Sequence, residues 1–91
     1  MATIWKFRVM LDDVKQTLKI PRGSEILSLN IQDGHPHVWV HVPRPEVETA
    51  FYHLEWVGTG CKAPLTYEKF IGTQLFNDGD FVFHLFLVAI A

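Results

Sequence analysis

The chain has 91 residues, 48% of them hydrophobic and 20% charged, with a net charge of −2. That length carries one core rather than two, and that composition excludes a disordered chain. Eight Lys and Arg residues are scattered along the sequence, which argues against a track for a nucleic-acid backbone. Aromatic residues make up 13%, more than a small interior hides, so some rings are expected to cover a ligand or a second subunit. Cys61 is the single cysteine, so no internal disulfide can form and a reducing, cytoplasmic setting is expected. Met1 to Lys6 lacks the layout of a signal peptide, and no stretch reads as a membrane span.

Alternation sets the first strand over Ile4 to Leu11, with Trp5, Phe7, Val9 and Leu11 on one face. Asp12-Asp13 turns the chain. A second strand, Val14 to Ile20, has a basic outer face of Lys15 and Lys19. Pro21-Arg22-Gly23 ends it, with Pro21 expected at the first central turn position. Glu25 to Gln32 is a clean strand, with Leu27, Leu29 and Ile31 expected on one face. Asp33-Gly34 predicts a tight hairpin of type I′. His37 to Val42 returns, with Val38, Val40 and Val42 inward and His37, Trp39 and His41 outward.

Pro43-Arg44-Pro45 stops that strand, because proline lacks the donor a ladder needs. Val47 to Val57 reads as a strand, although Pro45 to Tyr52 also fits a helix start. Gly58-Thr59-Gly60 breaks it. Cys61 to Glu68 reads as a loop with room for one helical turn after Pro64. Phe70 to Phe76 is a strand interrupted by Gly72, Asn77 to Asp80 a tight turn, and Phe81 to Val88 a last strand with two apolar faces. The expected fold is therefore all-β, one domain over residues 1–91. It is a small antiparallel sandwich or barrel of about seven short strands with at most one short helix.

Chemistry-bearing residues fall into three groups. His35, His37 and His41 have the spacing that lets imidazoles share a metal, but Pro36 disturbs the pleat and a fourth ligand is not evident, so no metal site is predicted. The same face, with His37, Trp39 and His41, reads better as a semi-polar surface for a planar ligand or a partner. Gly58-Thr59-Gly60, followed by Cys61 and Lys62 and joined by His84 from the last strand, could line a pocket; it reads equally well as a plain turn. Cys61 lacks an orienting third residue beside His84 or His53, and no carboxylate pair stands out, so no catalytic residues are predicted.

Ile4-Trp5-Lys6-Phe7, Ile20-Pro21-x-Gly23 with Ile26-Leu27-Ser28, Trp39, Val57-Gly58-Thr59-Gly60, Phe70-Ile71-Gly72-Thr73 and Phe83-His84-Leu85-Phe86 together span nearly the whole chain. In these motifs it resembles an uncharacterised family of small proteins encoded by bacteriophages and prophages. It departs at Leu87 to Ala91, which continue past the usual end of that family. The resemblance implies a phage protein acting in the cytoplasm of a bacterial host, and carries over no catalytic residues.

By analogy of class, a small β-rich phage protein of this kind is expected to be a non-catalytic counter-defence factor. It would be a homo-oligomeric sponge that binds and sequesters a small nucleotide-derived immune signal. Trp39 would stack on a base. Thr59, the backbone of Gly58 and Gly60, His84, and Arg22 or Lys62 would hold polar and phosphate groups. No cofactor, nucleic-acid partner or membrane contact is expected. The apolar C-terminus and the aromatic excess predict at least a dimer. The alternative is a protein-interaction module that inhibits a host protein or serves in the phage particle.

Overall fold

The computed structural model describes residues 1–91. The strands are β1 (Thr3–Arg8), β2 (Lys15–Pro21), β3 (Glu25–Gln32), β4 (His35–Val42), β5 (Thr49–Gly58), β6 (Lys69–Phe76) and β7 (Phe81–Ile90). They form two antiparallel sheets, ordered β1-β4-β3 and β2-β5-β7-β6. Alternation decides which side of each strand is buried. Val38, Val40 and Val42 of β4 are fully buried, as are Ala50, Tyr52 and Leu54 of β5 and Leu85 of β7. These inner faces meet in one core cluster that also holds Ile20, Ile26, Trp56 and Leu87. Each fully buried aliphatic side chain contributes roughly 1.5–3 kcal/mol. The result is an all-β sandwich, as the sequence predicts. β7 runs inside its sheet, with Leu85 and Leu87 buried in the core, but its outer face, with Val82, His84, Phe86 and Val88, is only half-buried because no third layer covers it.

Bulges explain where the sequence pattern misleads. The β3–β4 register shifts between Ile26 and Ser28, so Leu27 is the extra residue. Ile26 then joins the core at 1% exposure while Leu27 is 46% exposed, the reverse of strict alternation through Leu27, Leu29 and Ile31. A second bulge lies between Phe70 and Gly72, on the strand that alternation reads as interrupted. A Cβ at Gly72 would come within 3.3 Å of Leu29, so glycine lets β6 close on β3 at that edge of the sandwich. Lys69 bridges the same edge, donating to the Ile26 carbonyl and pairing with Glu25 at 3.5 Å.

Two connections differ from expectation. β1 ends at Arg8, and Val9 to Val14 cross the end of the sandwich without strand pairing. Pro21 closes β2 as the first corner of its turn, its carbonyl accepting from Ser24 N–H at 3.2 Å; Arg22 and Gly23 take the central positions. Pro45 to Tyr52 forms no helix, because the chain turns and then enters β5, and no helical turn follows Pro64. The one short helix is a 3-10 turn at Asn77–Gly79, with positive φ at all three residues. Asp33 and Gly34 have φ of 53° and 77°, the hairpin turn expected. The apolar C-terminus continues the β7 ladder, since Ala91 and Phe51 exchange both backbone hydrogen bonds.

Tyr52 ties β5 to the connection between β2 and β3. Its ring is 1% exposed and its hydroxyl donates to the Ser24 carbonyl at 2.9 Å. Burial pushes the hydroxyl above its ordinary value of 10.0. A raised folded value means that the native state favours the neutral phenol. Its contribution is complete below the ordinary value and is lost as pH rises through the folded value. Urea titrations should show stability falling above pH 10.0 in the wild type. Tyr52→Phe should lower stability near neutrality by about 1–2 kcal/mol and flatten that alkaline fall. Equal alkaline falls in both proteins would contradict the assignment.

Candidate functional site

The outer face of the three-stranded sheet is built by residues that alternate with the core positions. From β4 it receives His37, Trp39 and His41, all half-buried, because Val38 and Val40 between them point inward. In the β1 register Lys6 stands opposite Trp39 and Arg8 opposite His37. In the β3 register Ser28 stands opposite Trp39 and Asn30 opposite His37. Trp39 therefore lies on the central strand between Lys6 and Ser28, and the Lys6 ammonium reaches along the face toward the hairpin end. The His37 and Trp39 rings are tilted at 56° with centroids 6.1 Å apart. Arg8 donates to His35 Nδ1 at 3.1 Å, His37 Nδ1 donates to the His35 carbonyl at 2.8 Å, and Lys6 donates to Gln32 Oε1. Glu25 is the one carboxylate on this face, and it is paired with Lys69. A protein of net charge −2 thus presents one cationic sheet face.

A cleft of ≈ 350 Å³ opens beside the hairpin end of that face. Met10, Leu11, Pro36 and Phe76 line it with apolar surface, and Arg8, Asp12 and His35 add polar groups. One wall is the Val9 to Asp13 segment, which has no regular structure yet is pinned from beneath. The Gln16 amide accepts from Met10 N–H at 2.8 Å and donates to the Met10 and Asp13 carbonyls, each at 2.7 Å. The Trp56 indole N–H donates to the Met10 carbonyl at 3.0 Å, and Val9 N–H donates to the Pro36 carbonyl at 3.0 Å. Ordered walls of this kind need no rearrangement to receive a ligand.

Thr59 and His84 do meet, on the outer face of the other sheet. His84 alternates with the buried Leu85, and its two ring nitrogens bond the Thr59 and Thr73 hydroxyls, each at 2.8 Å. Neither nitrogen is bonded to Cys61. Gly58 to Cys61 is a tight turn closed by Cys61 N–H on the Gly58 carbonyl at 3.0 Å, and Gly60 supplies the positive φ of 85° that a type II turn requires. The arrangement staples a loop to β7 and β6. Thr59→Val should cost about 0.5–1.5 kcal/mol and speed amide exchange at Cys61 without altering the fold. Unchanged exchange there would show that the hydroxyl holds nothing.

The sequence-predicted residues therefore divide. Gly58, Thr59, Gly60 and His84 cluster on one sheet face, whereas Trp39 lies on the opposite face of the sandwich. Arg22 sits at the far end of β5 from Gly58, where it pairs with Glu48 at 3.3 Å. Ten extended residues place those ends about 30 Å apart. Lys62 is an exposed loop residue without an ion pair. Within one chain, the register therefore keeps Trp39, Thr59 and Arg22 from sharing a pocket. No group of three or more His, Cys, Asp or Glu side chains is placed to share a metal ion, and no helix is long and apolar enough to cross a membrane.

A model of a domain of unknown function, DUF7352, matches residues 1–90. The chain belongs to the DUF7352 family. Its match spans β1 to β7, so the Trp39 face, the cleft and the Thr59 staple all lie within the DUF7352 domain. No curated protein and no solved structure matches this DUF7352 chain. Its fold and site are therefore read from its own residues.

Sequence reasoning missed Lys6, Arg8, Met10, Gln16 and Phe76. Alternation placed Lys6 and Arg8 on an outer face, but pairing β1 with β4 is what sets them beside Trp39 and His37. Gln16 reads as an ordinary strand residue, and only the crossing of Val9 to Asp13 above it gives its amide a purpose.

Proposed function

We propose that this domain is a non-catalytic binding protein for a small, anionic, nucleotide-derived ligand. The observation that carries this reading is Trp39, half-buried on a central strand between Lys6 and Ser28, with Arg8 and His37 one pleat along. A base stacked on an indole gains about 1–3 kcal/mol whatever its identity. Two neighbouring cations and the imidazole N–H groups supply donors for phosphate oxygens. One indole and two fixed cations suit a ligand of one or two nucleotides and give too short a track for a polymer. In the bacteriophage setting that the resemblance implies, a binder without catalytic groups acts by holding a host immune signal out of circulation. Calorimetry against mononucleotides, linear and cyclic dinucleotides and cyclic ADP-ribose tests the reading. Heat of binding that is lost at high salt is the expected result; no heat with any of them sinks it.

A second reading rests on the outer face of the four-stranded sheet. Phe51, Tyr67, Phe70 and Leu75 are 45–56% exposed there, and Tyr67 and Phe70 both pack on Phe86. An apolar stripe of this kind on a small domain suits a protein contact. A homodimer through this face covers it with a second copy of the chain and leaves the Trp39 face open. Light scattering should give twice the monomer mass for the wild type and the monomer mass for Phe70→Ser. A monomeric wild type would transfer the stripe to a different protein partner.

A further inference from the structure

We infer that the ligand carries two planar bases joined through phosphate, one seated on Trp39 and the other in the cleft beside the hairpin. This deepens the proposed function and rests on it. The cleft and the sheet face are not independent features, because Arg8 and His35 belong to both. Arg8 stands on the outer-face side of β1 and His35 on that of β4, and both line the cleft. The surface therefore has an order: Trp39 at one station, a strip of Lys6, Arg8 and His37 in the middle, and an apolar hollow at the other end.

Each part fits a different piece of such a molecule. The hollow is lined by Met10, Leu11, Pro36 and Phe76, surfaces that take a flat ring rather than a naked phosphate. Asp12 at its rim offers a carboxylate to an exocyclic amine. Arg8 already donates to His35 Nδ1 and keeps further N–H groups free in its planar fork, so it can hold a phosphate between the two stations. From Trp39 to His35 is four residues of β4, about 13 Å of strand. That span asks for two nucleosides splayed across a phosphodiester and leaves a mononucleotide able to fill only one station. The pinned Val9 to Asp13 wall holds the second station open before the ligand arrives.

The experiment compares adenosine monophosphate with linear and cyclic diadenylate by calorimetry. Either diadenylate should bind at least roughly tenfold more tightly than the monophosphate, because the second base adds stacking without a second loss of translational freedom. Met10→Glu, at a residue 40% exposed, puts a carboxylate in the hollow with little risk to folding. It should return diadenylate affinity to the monophosphate level, as should Trp39→Ala, while Lys62→Ala should change nothing. Equal affinities for mono- and diadenylate, or full diadenylate affinity in Met10→Glu, would overturn the two-station inference and leave the Trp39 binding reading intact. No binding of any of the three probes would overturn the two-station inference, and no heat with the wider nucleotide panel as well would overturn the Trp39 binding reading.

Discussion

Trp39→Ala is expected to lower nucleotide affinity by roughly 5- to 150-fold, the equivalent of about 1–3 kcal/mol of base stacking. The substitution should leave the fold unchanged, because Trp39 lies outside the core cluster and its neighbours along β4 carry the burial. Trp39→Phe keeps an aromatic face and should retain most of the affinity. A structural role for the indole predicts the opposite pattern, with melting temperature falling in both variants in proportion to lost area. Lys6→Ala should weaken binding less and reduce its salt dependence, since an exposed ammonium acts as a screened point charge.

Trp56→Ala should have the largest effect on stability. The ring is 4% exposed and contacts Phe76 and Phe83 edge-on at 6.3 Å each. Removing a buried aromatic costs about 3–5 kcal/mol, a large share of the roughly 5–15 kcal/mol that holds a domain folded. Urea denaturation measures it. Trp56→Phe separates the two roles of the residue. It keeps ring packing but removes the N–H that holds the Met10 carbonyl, so stability should fall by only about 1 kcal/mol. The Val9 to Asp13 amides should nonetheless exchange faster, and any ligand seated against that wall should bind more weakly. Equal exchange in Trp56→Phe and wild type would show that Gln16 alone fixes the wall.

The strands were legible because their physics is local. Asp33-Gly34 specifies its hairpin within two residues, and Val38, Val40 and Val42 declare the buried side of β4. Leu27 was misread because a bulge is set by pairing with β4, and no residue type at that point announces the extra residue. The helix start at Pro45 lost to β5 because Ala50, Tyr52 and Leu54 belong to the core, and tertiary burial outweighs a weak local preference. The site was legible only in pieces. Trp39 stood out by type, but its cationic neighbours come from β1, some thirty positions away in sequence, and depend on antiparallel register. Gly58-Thr59-Gly60 drew attention because glycines, a hydroxyl, a thiol and an amine adjoin in sequence, whereas the structure uses them for a turn stapled by His84. Adjacency in sequence points to the Thr59 turn; adjacency across strands brings Lys6 and Arg8 to the face that carries Trp39.

The most direct measurement is a titration of the isotope-labelled protein with adenosine monophosphate and diadenylate, followed by backbone amide and indole N–H shifts. Saturable shifts are expected at the Trp39 indole and at the amides of Lys6, Arg8, His35, His37 and Asn30. Diadenylate should extend them to Met10 and Leu11. Shifts confined to Thr59, Thr73 and His84, or no shift anywhere, would contradict it.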